Sequence, residues 1–247
     1  MKPAAITGIL LLMIFMLQAS GQTTGSAPDK KFFVGILLSP DYSYRHLHLE
    51  NDEFNLVQMR NETESPRLGF TAGVVARYQL KKRLVMESGI QFSDRGNKFD
   101  FDDDFVSSDD LIWPGHNEDP LIPEKITENY HYSYWGIPAK LNYYFSRKKV
   151  NMFVSAGVST DFFLSGKRNS VIKFRDTTEK ETSEMDEDFN KVSFSGLAGF
   201  GMESRISNLL QLQVAPVFRY SFTPLVAAPL KEHPWSFGLN VSVFTNL

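Results

Sequence analysis

His46 and His48 stand one residue apart in Arg45-His46-Leu47-His48-Leu49-Glu50, so an extended chain puts both imidazoles on one side. That is two-thirds of a zinc site. The pair occurs at the start of a polar stretch and His-x-His is common by chance, so no metal is expected. Residues 100–110, DFDDDFVSSDD, hold six Asp and no basic residue, and 176–188 add a second acidic block. A calcium loop of EF-hand type needs a Gly at its turn and a terminal Glu, and neither is in place. These blocks read as solvated loops. All five histidines, His46, His48, His116, His131 and His233, fall in or beside such stretches, where His and Asp together could build a hydrolase. No serine elbow, His–Asp spacing or paired-carboxylate motif accompanies them, so no enzyme and no cofactor is expected.

A second set of ionisable residues is spaced differently. Arg77, Glu87, Lys140, Asp161, Glu203, Arg205 and Arg219 each stand nearly alone in stretches that alternate apolar and small residues. What such charges do depends on the elements that carry them. Period-two segments recur over 32–45, 67–80, 84–99, 127–145, 150–167, 191–206, 209–222 and 234–246, which predicts about eight strands and no convincing amphipathic helix after Gln22. The connections alternate in length. Lys81-Lys82-Arg83, Ser146-Arg147-Lys148-Lys149 and Ser207-Asn208 are tight turns; 46–66, 100–126, 168–190 and 223–233 are long and polar. A parallel α/β fold needs crossovers of a dozen or more residues, which the tight turns exclude.

The two faces of these strands settle the environment. In YWGIPAKLNYYF (134–145), Trp135, Ile137, Ala139, Leu141, Tyr143 and Phe145 share one face, and in 68–80 the even positions read Leu, Phe, Ala, Val, Ala, Tyr, Leu. The opposite faces are mostly Gly, Ser, Asn and Gln with about one charge per strand. A soluble barrel would need a wet exterior dense in Lys, Glu and Thr. Small residues suit a narrow polar interior, with the apolar face turned to lipid. Tyr78, Tyr143 and Phe145 near the short turns, and Trp135, Phe162, Phe222 and Trp235 toward the long loops, fit aromatic belts at two membrane interfaces. The prediction is an all-β, eight-stranded, antiparallel, up-and-down transmembrane barrel. Ten strands are possible if 46–66 or 168–190 hides a hairpin. Pro138 and Pro216 interrupt the ladder and are expected to mark bulges. In an eight-stranded lumen wide enough only for side chains, Arg77, Glu87, Lys140, Asp161, Glu203 and Arg219 should pair into a plug. A charged path for ions is the alternative.

The run Trp135-Gly136-Ile137-Pro138-Ala139-Lys140-Leu141-Asn142-Tyr143-Tyr144-Phe145 resembles the I-P-x-x-L-x-Y-x-F strand of the PorT-like, porin-like outer-membrane β-barrel family. GILLSPDYSYR at 35–45, MESGIQFSDRG at 86–96, FVSAGVSTDFF at 153–163 and VAPVFRYSFTPL at 214–225 fit the same pattern. The resemblance covers essentially the whole mature chain and implies a barrel scaffold of the Gram-negative cell envelope without a reaction centre. The chain departs from the usual aromatic terminus by ending in Leu247.

Lys2, an apolar run from Ile9 to Leu17 and small residues at Ala19 and Gly21 predict a secretory signal peptide over 1–21, leaving 22–247 as the barrel domain. With no cysteine there are no disulfides or thiolate sites, and a net charge of −3 offers no basic excess for nucleic acid. A mean hydropathy of −0.24 excludes a multi-helix membrane protein. The functional expectation is an outer-membrane scaffold that presents loops, with both termini in the periplasm. The expected partners are outer-membrane lipid and lipopolysaccharide, the barrel-assembly machinery and a further envelope protein. A narrow porin-like channel and a loop-based hydrolase are the alternatives.

Overall fold

The computed structural model describes residues 31–49, 56–102, 123–145, 150–174, 176–185 and 188–246. The predicted signal peptide, the turn at 146–149, His116 and most of the acidic stretch 100–110 lie outside the described residues. Ten strands and one helix follow in order: β1 Phe32–Leu49, α1 Leu56–Thr63, β2 Glu64–Lys81, β3 Leu84–Arg95, β4 Asn97–Asp102, β5 Lys125–Tyr144, β6 Val150–Lys173, β7 Thr178–Glu184, β8 Val192–Arg205, β9 Leu210–Ser221 and β10 Leu230–Asn246.

Every pairing is antiparallel, and β1 pairs with both β2 and β10, so the sheet closes on itself. The ring has eight members: β1, β2, β3 with its continuation β4, β5, β6, β8, β9 and β10. Closure leaves no edge within the ring, the condition for strands to survive in hydrocarbon. β3 and β4 are one strand interrupted at Gly96. There the Tyr130 carbonyl passes so close that any Cβ would overlap it. β7 is the hairpin that 168–190 conceals. It pairs with the far end of β6, outside the ring.

The strands are longer than their apolar faces. β1 runs through His46 and His48 to Leu49, and β10 begins at Leu230, so these histidines and His233 lie on strands and not in loops. α1 is a short helix within the stretch 46–66 that reads as a loop, and it is not amphipathic. Its sequence LVQMRNET has no apolar stripe to give it away. The bulges also lie elsewhere than at the prolines. Opposite Pro138 the β3–β5 ladder skips two residues and resumes in the same register, and the β8–β9 ladder does the same opposite Pro216. Each residue's N–H points to one neighbouring strand, so a proline opens a one-sided gap without inserting a residue. The register shifts between Ser133 and Tyr134, and between Gln79 and Lys81.

Alternation of burial follows the sequence pattern. Ile36, Leu38, Val74, Ile90, Ile137, Leu141, Val158, Phe194, Phe200 and Phe237 are exposed on the outside. Inside, Ser39, Asp41, Thr71, Glu87, Asn142, Asp161, Ser195 and Ser236 are almost fully buried. The molecule is therefore apolar outside and polar within, the reverse of a water-soluble domain.

Candidate functional site

The interior is organised as couples of acid and base, each held by neutral groups on neighbouring strands. Toward the short turns, Arg77 of β2 pairs with Glu203 of β8, to which the Tyr144 hydroxyl also donates at 2.7 Å. The second guanidinium nitrogen of Arg77 donates to Gln211 Oε1 at 2.7 Å, and its plane lies 3.6 Å from the centroid of the Phe244 ring. Such stacking suits a guanidinium held away from water. Next, Lys140 Nζ sits 2.6 Å from Glu87 Oε1, while Asn142 donates to Glu87 Oε2 at 3.0 Å. Register explains the pairing, because Glu87 and Lys140 are direct partners across β3 and β5.

Arg219 and Asp161 also lie inside, but their partners were not among the predicted residues. Arg219 donates to Asp41 at 3.1 Å and to Asn240 at 2.6 Å; Ser39 and Thr71 complete the shell of Asp41. Arg95 donates to Asp161 at 3.1 Å, with Ser159 and Ser195 on the same carboxylate. Two glycines make room. A Cβ at Gly238 would overlap the Asp41 carboxylate, and one at Gly136 would crowd that of Asp161. Arg205, on the same parity as Glu203, lies exposed at the rim.

At the long-loop end, Arg45 pairs with both Glu64 and Glu232. Arg60 of α1 joins the same two carboxylates, at 2.9 Å and 2.7 Å, and so fastens the helix to the strand ends. Asp41, Arg45 and Arg95 sit on the inward parity of their strands, so alternation alone would have found them. Glu232 was hidden because 223–233 reads as a loop.

Inward-facing Tyr132 and Tyr134 meet Phe189 and Leu225 from the two connecting segments above them. Phe189 stacks on Phe163 at 4.5 Å, and Asn190 N–H donates to the Leu225 carbonyl at 3.0 Å. The two segments are thus stitched together across the lumen's end. Beside them, burial and the Glu128 carboxylate push the Tyr130 hydroxyl up to about 12.

The other predicted residues lie on the exterior. Tyr78, Trp135, Tyr143, Phe145, Phe162 and Phe222 are exposed there, and Trp235 is half-buried between Tyr44 and Phe218. The described histidines, His46, His48, His131 and His233, do not assemble into one group. His131 contacts Asp94 at 3.2 Å and Asn169 at 3.2 Å, whereas His46 faces His233 across β1 and β10. Burial raises the Asp94 carboxyl, but His131 and Arg67 outweigh it and hold the group below the usual range.

A closed ring of eight strands with an apolar exterior, ion pairs within, short turns at one end and long connections at the other defines a transmembrane β-barrel. The chain belongs to the outer membrane protein beta-barrel domain family, whose model matches residues 43–227. No curated protein matches it in sequence. Similar solved structures include neisserial surface protein A, at 10% identity over 87% of this chain and 97% of that one, with a TM-score of 0.46. The outer membrane protease OmpT from Escherichia coli follows at 7%, 92%, 99% and 0.43. The outer membrane protein OprG from Pseudomonas aeruginosa gives 9%, 88%, 97% and 0.40. The protein is an outer-membrane barrel.

Proposed function

We propose that this barrel is a structural and interaction scaffold, not an enzyme, with a sealed lumen and with its specificity carried by the long connections. One observation supports this reading above the others: the buried lumen charges Arg77, Glu87, Lys140, Asp161 and Arg219 each have an opposite charge within the lumen, and an aromatic lid lies across its end. An eight-stranded barrel leaves an interior that side chains fill, so paired groups of this size obstruct it.

In this reading both termini are periplasmic and the long connections face outward, presented to lipopolysaccharide and to an envelope protein partner. The aromatics Tyr78, Tyr143 and Phe145 mark the inner interface, and Trp135, Phe162, Phe222 and Trp235 the outer one. A cleaved leader over 1–21 would deliver the chain to the barrel-assembly machinery. The Trp135–Phe145 run supports a place among PorT-like proteins.

The test is electrical. Purified protein reconstituted in planar bilayers should give no steady openings. Steady openings whose ion selectivity changes in Lys140→Ala or Glu87→Ala would establish the channel reading in place of the scaffold.

A further inference from the structure

The exterior of β8, β9, β10 and β1 carries no Asp or Glu among the described residues. Its outward positions, even in β8, β9 and β1 and odd in β10, are otherwise apolar, small or hydroxylic. The ionisable side chains of basic type on that sector are His46, His48, Lys231 and His233, and all four lie at the long-loop end. They cluster because β1 and β10 pair antiparallel, placing His46 opposite His233 and His48 opposite Lys231. The β3–β5–β6 side differs at the same level. There His131 is matched by Asp94, which also binds Arg67 at 2.6 Å.

Directly beneath the imidazoles, Tyr44, Phe218, Tyr220 and Trp235 form an aromatic cradle. Tyr44 meets Trp235 edge-on at 6.3 Å, Phe218 meets it at 6.0 Å, and Tyr220 lies parallel to His233 at 6.1 Å. His46, Phe218, Tyr220 and Trp235 line an outward hollow of ≈ 470 Å³. His233 Nδ1 lies 3.1 Å from the Ser221 carbonyl, an acceptor only, so this nitrogen must donate. Nε2 is then left for a ligand, and it donates to an oxyanion when the ring takes a second proton.

We propose that this hollow seats one phosphorylated lipid of the outer leaflet, with His46 and His233 on its phosphate and the aromatic cradle on its apolar part. The proposal rests on the membrane reading above and adds a ligand site to it. Charge complementarity and position argue for this occupant. A site on the outward wall, at the boundary between apolar band and polar extension, meets a lipid whose headgroup and chains divide at that boundary. An anion there meets the imidazoles, with no carboxylate on the sector among the described residues to repel it. Tyr220, His46 and Lys231 are the titratable groups that face His233 from β9, β1 and β10.

The experiment is native mass spectrometry of the folded barrel. The probes are diphosphoryl lipid A, the same lipid dephosphorylated, and inorganic phosphate. The wild type should retain one diphosphoryl lipid in preference to the dephosphorylated form. His46→Ala and His233→Ala should each weaken retention roughly tenfold, as loss of one charge-assisted hydrogen bond implies. His131→Ala on the opposite wall should leave it unchanged. Heat-modifiable mobility on gels confirms that each variant is folded. Equal retention by a folded His46→Ala/His233→Ala variant, indifference to the lipid's phosphates, or equal binding of free phosphate would overturn the proposal. Failure of the wild type to insert into vesicles at all would instead sink the membrane reading on which it stands.

Discussion

The buried couple of Lys140 and Glu87 allows a quantitative test of how the lumen is held. At 2.6 Å and an effective dielectric of about 20, their attraction is roughly 6 kcal/mol. Withdrawing both groups from water costs several kcal/mol per ion, so the net contribution of the intact pair is small. Removing one partner is a different matter. Lys140→Met leaves the Glu87 carboxylate, 1% exposed, with the Asn142 amide as its remaining strong donor, and Glu87→Gln strands the ammonium. Each single variant should lose about 3–5 kcal/mol, whereas the double variant should recover most of that loss because neither charge remains. The assay is urea unfolding of the barrel in lipid vesicles, followed by tryptophan fluorescence at equilibrium, with a double-mutant cycle to extract the coupling. A coupling of about 3 kcal/mol or more is expected. If each single variant costs under about 1 kcal/mol and the two effects add, water reaches these groups and the sealed lumen is wrong.

Three further outcomes follow from the same geometry. Gly238→Ala should push the Asp41 carboxylate off Arg219 and lower stability by about 1–3 kcal/mol, read in the same unfolding assay; a silent substitution would mean that the lumen has slack there. Phe189→Ala should leave insertion and barrel stability intact but unpin the 188–191 and 222–229 segments, seen as faster cleavage there by added protease. Asp94→Asn should cost about 1 kcal/mol near pH 7 by releasing Arg67 and His131. The Asp94 carboxyl is held below its ordinary value, so its contribution is present above the unfolded-state value of about 3.9 and fades as pH falls through the folded value. The wild type and Asp94→Asn should therefore converge in strongly acidic solution, and a deficit that persists there would refute the assignment.

The barrel was legible because lipid on one side and packed polar groups on the other force a strict period of two. Trp135 through Phe145 carries that signal without a break, and the tight turns at Lys82-Arg83 and Ser207-Asn208 fix its phase from one strand to the next. Where only water or loops surround the chain, the signal vanishes. β7, TEKETSE, is polar on both faces and so leaves no alternation to read. α1 has no apolar stripe, since Arg60 and its bonds to Glu64 and Glu232 hold it in place. The lumen charges could be assigned a side by parity, but not a partner. Glu87 and Lys140 are neighbours in register, whereas Arg77 reaches Glu203 across the interior, which depends on how the strands slide past one another. Pro138 and Pro216 give no bulge because a proline removes a donor without adding a residue.

The seam between the first and last strands has a kinetic consequence. Asp41 and Arg219 are 178 residues apart, and Arg45 and Glu232 are 187 apart. Neither bond can form until β10 reaches β1 and the wall becomes a tube. A half-rolled sheet would hold Asp41 and Arg219 apart at the threshold of the bilayer, while Arg45 would keep only Glu64, so partial insertion is penalised. Ring closure and neutralisation thus coincide, and a chain cut short before β10 should stall outside the membrane instead of entering it unfinished.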